Sequence, residues 1–161
     1  MADQQTYLQG LDRYLDFWIN IKPEVIDQVR DVVTPDFRFQ DPFNDAHSVE
    51  DLIKIFEHMF KECEQPRFKV LQRGLDAGGP DADGNQAAYA LWRFDAISKR
   101  GGTAFGFEGM SSLALNKDAL MASHIDHWDS GNEFFRGLPV LGWGVRQVIR
   151  MLAADPKLRR A

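Results

Sequence analysis

The chain reads as an α+β fold, a strongly curved, mixed to antiparallel sheet wrapped around N-terminal helices into a cone, with an extra C-terminal helix. Three observations carry this. Apolar residues recur at helical spacing at Leu8, Leu11, Leu15, Trp18 and Ile19, and again between Val49 and Cys63. From Phe68 to Trp128 the period changes to two, broken by turn sequences. Gly106 and Gly109 interrupt the third of the long strands and permit a strong bend. A cone closed at its narrow end has one mouth, and the space between sheet and helices is the natural ligand site.

The elements follow in order. Thr6–Ile21 is an amphipathic helix, with Tyr7 and Tyr14 beside its apolar stripe. Pro23 suits the first turn of a second helix, apolar at Val25, Ile26, Val29, Val32 and Val33 and ended before Pro35. Asn44–His47 reads as a polar loop. Ser48, followed three residues later by Asp51, resembles a capping box and opens a third helix, Val49 to about Cys63, stopped by Gln65-Pro66. Strands then begin at Phe68. Gly78–Asn85 is a turn by composition. Ala88, Ala90, Trp92 and Phe94 share one face of the next strand while Arg93 and Asp95 take the other, and Arg100-Gly101-Gly102 closes a hairpin. Phe105–Leu115 is a long third strand. In the last strand, Ala119–Asp129, His124, Asp126 and Trp128 lie on one face and Ile125 and His127 on the other. Gly131 ends it, Asn132–Arg136 forms a helical turn, and Leu138–Ala153 is a final helix. The whole reads as a single domain, 1–161, with residues 138–161 as a helical extension.

Composition narrows the function. The net charge of −5 argues against a general nucleic-acid binder, and the basic end, Arg146, Arg150, Lys157, Arg159 and Arg160, reads as a solvated helix face. The single cysteine, Cys63, excludes an internal disulfide and a Cys-based zinc site and suits a reducing cytoplasm. No basic-then-apolar leader opens the chain and no apolar run approaches the roughly 20 residues of a spanning helix, so no membrane role is expected. Twelve phenylalanines and four tryptophans are more than such a core requires, and some of them suit the lining of an apolar cavity.

The stretch Thr34–Asn44 is the centre of the reading. Phe37, Phe39 and Asp41 alternate with Arg38 and Gln40, which sets two aromatics and a carboxylate on one strand face. Pro42 cannot donate to a sheet ladder, so the strand ends with Asp41 at a rim. A carboxylate among aromatics suits a general base. The competing reading is an Asx-turn, with Asp41 bonded to its own backbone and Asn44 as a turn residue rather than a pocket hydrogen-bonder.

On Phe-Arg-Phe-Gln-Asp-Pro-Phe-Asn (37–44), Trp92-Arg93-Phe94, Phe107-Glu108-Gly109-Met110-Ser111 and His124-Ile125-Asp126-His127-Trp128-Asp129, set in this order of elements, the chain resembles the SnoaL-like branch of the nuclear transport factor 2 superfamily. That superfamily includes ketosteroid isomerase, scytalone dehydratase and limonene epoxide hydrolase. The resemblance implies the cone fold and a dimer. Asp41-Pro42 matches the isomerase's proton-shuttling Asp-Pro, and Tyr14 matches its first-helix tyrosine, with Trp18 one turn later. Ser111 stands where the isomerase has a neutral aspartic acid. His124 and Asp126 are similar to the late-strand His and Asp of the SnoaL cyclases.

His124 and Asp126, two apart on a strand, stand about 7 Å apart at Cβ and can share a proton relay, or else form a structural polar network under the sheet. Trp18, Phe39, Phe43, Trp92, Phe94, Phe107 and Trp128 divide between core and cavity lining, and Asn44 and Ser111 complete the candidate binding set. His47, His58 and His127 have no metal-ligand spacing, and neither a metal nor a cofactor motif is present. Two function classes remain. One is a cofactor-independent acid/base enzyme of isomerase, cyclase or dehydratase type, using Asp41, His124, Asp126 and Tyr14 on a small hydrophobic carbonyl, polyketide-like or steroid-like compound. The other is a non-catalytic module that binds a small ligand or a partner protein. The outer sheet face, with Arg93, Asp95, Glu108, Met110, Ser112, Ile125 and His127, suits a homodimer.

Overall fold

A computed structural model describes residues 3–130 and, beyond them, 143, 147 and 151. The chain falls into two units, Met1–Trp128 and Asp129–Ala161. The helical turn and final helix expected beyond Gly131 lie outside the described residues, apart from positions 143, 147 and 151, which are helical.

In the first unit, helix α1 spans Gln4–Ile19. The Asp3 carboxylate caps it by accepting the Thr6 N–H at 2.8 Å. Its buried stripe is Tyr7, Leu11, Tyr14, Leu15 and Trp18. Burial of one such side chain, Leu11 for example, stabilises the fold by about 1.5–3 kcal/mol. Pro23–Asp31 is a 3₁₀ helix rather than the α-helix its apolar pattern predicts. Only Ile26 and Val29 of this segment are buried, and residues three apart align on a helix of three residues per turn.

Strand β1, Val33–Gln40, buries Phe37 and Phe39 as alternation predicts. Asp45 and Ala46, read as loop, form a two-residue strand β2 antiparallel to β1. Two residues are too few for a period to register. Helix α2 is Val49–Glu62, and the Ser48 hydroxyl accepts the Asp51 N–H at 3.2 Å. Strand β3, Cys63–Leu75, starts directly at the helix end rather than at Phe68. It tolerates Pro66 because β3 is the sheet's edge strand and because its register with β4 shifts between Glu64 and Arg67.

Strands β4 (Gln86–Ser98), β5 (Ala104–Leu115) and β6 (Met121–His127) complete a six-stranded sheet in the order β2-β1-β6-β5-β4-β3. All neighbours are antiparallel except β1 and β6. The sheet is mixed and open, with β2 and β3 as its two edges. Its inner face carries Ala88, Ala90, Trp92, Phe94, Leu113 and Leu115 toward the helices, which gives the cone-shaped α+β architecture.

Candidate acid/base site

Strand register brings the site together. His124 opposes Phe39 of β1 on one side and Leu113 of β5 on the other, and Asp126 opposes Ser111. Alternation points His124 and Asp126 to the inner face, and their side chains meet, Nε2 to Oδ1, at 2.7 Å. Tyr14, from the buried stripe of α1, places its hydroxyl 2.6 Å from His124 Nδ1. On the other side the Ser111 hydroxyl bonds Asp126 Oδ1 at 2.6 Å, and the Trp92 indole N–H donates to Ser111 Oγ at 2.7 Å. One hydrogen-bonded chain therefore runs Tyr14–His124–Asp126–Ser111–Trp92.

Depth changes along it. Tyr14 is 0% and His124 5% exposed, whereas the Asp126 side chain is 12% exposed. Burial holds the Tyr14 hydroxyl well above its ordinary ionisation range, and the Asp126 charge adds to it. The Trp18 N–H itself makes no hydrogen bond among the described residues. The Tyr14 hydroxyl is thus both fully buried and engaged by His124.

Aromatic rings enclose the chain at both ends. Trp18 and Phe39 each lie 5.1 Å from the His124 ring, between centroids. Toward the surface Trp128 stacks on Phe107 at 4.1 Å and 17°, and Phe43 meets the edge of Trp128 at 5.5 Å. Phe107 also packs on Phe94 at 5.5 Å and on Trp92 at 5.9 Å. Two cavities lined by described residues lie elsewhere. One of about 550 Å³ is bounded by Ile21, Phe60, Cys63 and Arg67, and one of about 420 Å³ by Arg93, Asp95 and Phe105.

Asp41 stands apart from this chain. Its Oδ1 accepts the Phe43 and Asn44 backbone N–H groups, each at 2.7 Å, and Oδ2 accepts the Asn44 side-chain amide at 2.9 Å. The Asp41 N–H closes the turn on the Asn44 carbonyl at 2.9 Å. This is the Asx-turn geometry, and among the described residues the carboxylate bonds only within the turn. His127 is exposed on the outer face, 3.2 Å from Ser112 Oγ. Among the described residues no group of three His, Cys, Asp or Glu side chains is arranged to hold a metal ion.

Sequence reasoning placed Trp92 and Ser111 among binding residues and did not foresee their hydrogen bond, nor the part of Gly109. A Cβ at Gly109 would stand 2.5 Å from Trp92 Cζ2, so the indole lies where only a glycine leaves room. The signal was a glycine inside a strand, which marks either a bend or a close approach.

The pattern of the SnoaL-like domain family matches residues 11–124. Solved structures with the same fold include a nuclear transport factor 2-like superfamily protein from Salmonella enterica serovar Typhimurium, 15% identical with a TM-score of 0.62 over 77% of this chain and 89% of its own. A candidate SnoaL-like polyketide cyclase from Jannaschia sp. CCS1 is 14% identical with a TM-score of 0.61, over 80% of this chain and 92% of its own. An epoxide hydrolase of M. tuberculosis, similar to limonene epoxide hydrolase, is 15% identical with a TM-score of 0.61, over 96% and 99%. No curated protein matches the chain.

Proposed function

The chain belongs to the SnoaL-like domain family, and from that premise we propose that it is a cofactor-independent acid/base enzyme acting on a small, neutral, hydrophobic carbonyl compound. The observation that carries this reading is the buried Tyr14–His124–Asp126 chain, whose Asp126 is its least buried acid/base member. Both bonds to Asp126 converge on Oδ1, and Oδ2 has no partner among the described residues. Asp126 is then the base, with the part assigned to Asp41 from sequence moving to the carboxylate that is not spent on a turn.

The packed rings of Phe43, Phe107 and Trp128 suit a flat apolar compound. Oδ2 takes the proton from the carbon next to the carbonyl. The C–H electron pair becomes the carbon–carbon double bond of the enolate, and the carbonyl π pair moves to oxygen. The proton held on Oδ2 then returns to carbon at the same or a conjugated position, so an isomerisation is balanced without any further reagent. His124, held by Tyr14, keeps the carboxylate oriented. The exposed Tyr89 and Met110 on the outer face, with Leu91 opposite Met110 and Ile125 opposite Ser112, are the centre we assign to a homodimer contact.

The test is carbon-acid exchange. Aromatic β-dicarbonyl compounds and 3-oxosteroids are incubated with the protein in deuterated buffer, and deuterium at the carbon next to the carbonyl is followed by NMR. The expected result is exchange by the wild type that Asp126→Asn lowers by about 10²–10⁴-fold. Compounds that bind, as seen by ligand-observed NMR, yet exchange at the uncatalysed rate would instead support the non-catalytic binding module.

A further inference from the structure

The hydrogen-bonded chain has a direction, and Trp92 sets one end of it. An indole N–H donates and cannot accept. Trp92 Nε1 therefore donates to Ser111 Oγ across 2.7 Å, and the hydroxyl hydrogen of Ser111 is left for Asp126 Oδ1, 2.6 Å away. Oδ1 is thus an acceptor, so His124 Nε2, 2.7 Å from it, carries a proton. A neutral imidazole protonated there has its lone pair on Nδ1, which accepts the Tyr14 hydroxyl hydrogen across 2.6 Å. Every hydrogen in the chain points toward Asp126 Oδ1.

The strand geometry makes this arrangement specific. Trp92 opposes Gly109 in the β4–β5 ladder, and Ala90 opposes Ser111, so the indole reaches its partner diagonally across the sheet. It can do so because Gly109 lacks the Cβ that would stand 2.5 and 2.6 Å from Trp92 Cζ2 and Cη2. Ser111 is 1% exposed, so a water has little room to replace its donor.

We propose that Trp92 and Ser111 are positioning residues for Asp126: they clamp Oδ1 and so make Oδ2 the oxygen that meets a bound compound. This rests on the reading of Asp126 as the base. Ser111 and Trp92 then act through Asp126 and need no contact with the substrate's reacting atoms.

The clamp is tested without substrate, by ¹H–¹⁵N NMR of the full chain carrying ¹⁵N-histidine. In the wild type the expected His124 pattern is a protonated Nε2, with its proton protected from solvent, and an unprotonated Nδ1. In Ser111→Ala and Trp92→Phe that proton should exchange about tenfold faster, the size of one net hydrogen bond. Ser111→Thr, which keeps the hydroxyl, should restore the wild-type rate, and it keeps the test open should Trp92→Phe fail to fold. On any compound that the wild type exchanges, Ser111→Ala should lower kcat about tenfold and leave KM unchanged.

A wild-type His124 protonated at Nδ1 instead, or unchanged proton exchange in both Ser111→Ala and Trp92→Phe, would overturn the clamp. The expected NMR pattern in a protein that exchanges no carbon acid would overturn the base assignment alone and leave the clamp standing.

Discussion

Tyr14 and His124 are 110 positions apart in the chain, and the hydroxyl of one lies 2.6 Å from Nδ1 of the other. This contact ties α1 to β6. Tyr14→Phe keeps the ring and its packing against Phe37 and Trp18 but strips His124 Nδ1 of its partner. A buried nitrogen left unsatisfied costs about 1–3 kcal/mol. Urea denaturation should register that loss as a lower midpoint with an unchanged slope. A midpoint equal to the wild type would mean that the contact contributes nothing to stability.

The same residue makes stability depend on pH at the alkaline end. Burial raises the Tyr14 ionisation above its ordinary value of about 10, so the folded state holds this proton more tightly than the unfolded one. The sign follows. The contribution is fully present below about pH 10 and is lost as pH rises toward the folded-state value. Thermal unfolding followed from pH 8 to 11 should therefore fall more steeply above about pH 10 for the wild type than for Tyr14→Phe. Parallel curves would refute the linkage.

Gly109 is the second structural pivot. Gly109→Ala sets a methyl group 2.5 Å from Trp92 Cζ2 and 3.1 Å from Trp128 Cβ, and ring and strand must part to relieve it. Overpacking of this kind destabilises by about 1–3 kcal/mol. The indole shift should also break the bond to Ser111, so a change in Trp92 indole N–H chemical shift should accompany the lower melting temperature. Full stability with an unmoved indole resonance would show that the strand can yield without effect.

Substitutions at Asp41 and Asp126 distinguish the turn carboxylate from the base proposed above. Asp41→Ala removes the acceptor for the Phe43 and Asn44 N–H groups and should cost about 1 kcal/mol, as the loss of a comparable side-chain cap does. Asp41→Asn retains a carbonyl acceptor and should keep both fold and carbon-acid exchange. Asp126→Asn should keep the fold and lose exchange. Equal losses of exchange in Asp41→Asn and Asp126→Asn would return the base to Asp41.

Alternation carried much of the fold. It set His124, Asp126 and Trp128 on one face and His127 on the other, and it separated Trp92 and Phe94 from Arg93 and Asp95, because the period of two holds along these regular stretches of strand. It did not separate the 3₁₀ helix at Pro23–Asp31 from an α-helix, since short apolar spacings fit both. Nor did it pair strands. The bond between Trp92 and Ser111 depends on the register that sets Gly109 opposite the indole, and register is a long-range property. Asp41 illustrates the opposite case, where Asp-Pro-Phe-Asn is already a strong local turn sequence and the turn engaged the carboxylate.

The homodimer contact proposed above is placed on the outer face of the sheet. Met110 is 48% and Tyr89 43% exposed, and cross-strand pairing puts Met110 beside Leu91 and His127, with Tyr89 beside Ser112. Arg93, bonded to Asp95 at 2.8 Å, and Glu108 form a polar margin to this apolar centre. A two-fold contact brings the same patch of each copy together, with the apolar side chains at the middle and the charges at the rim. Met110→Glu sets a carboxylate of each copy against the apolar centre of the other, a desolvation cost that rim charges do not repay. Light scattering on size-exclusion fractions should give twice the chain mass for the wild type and one chain mass for Met110→Glu, with carbon-acid exchange per chain retained because the site lies on the inner face. A wild type that runs as a monomer at every concentration tested would sink the assignment of this face.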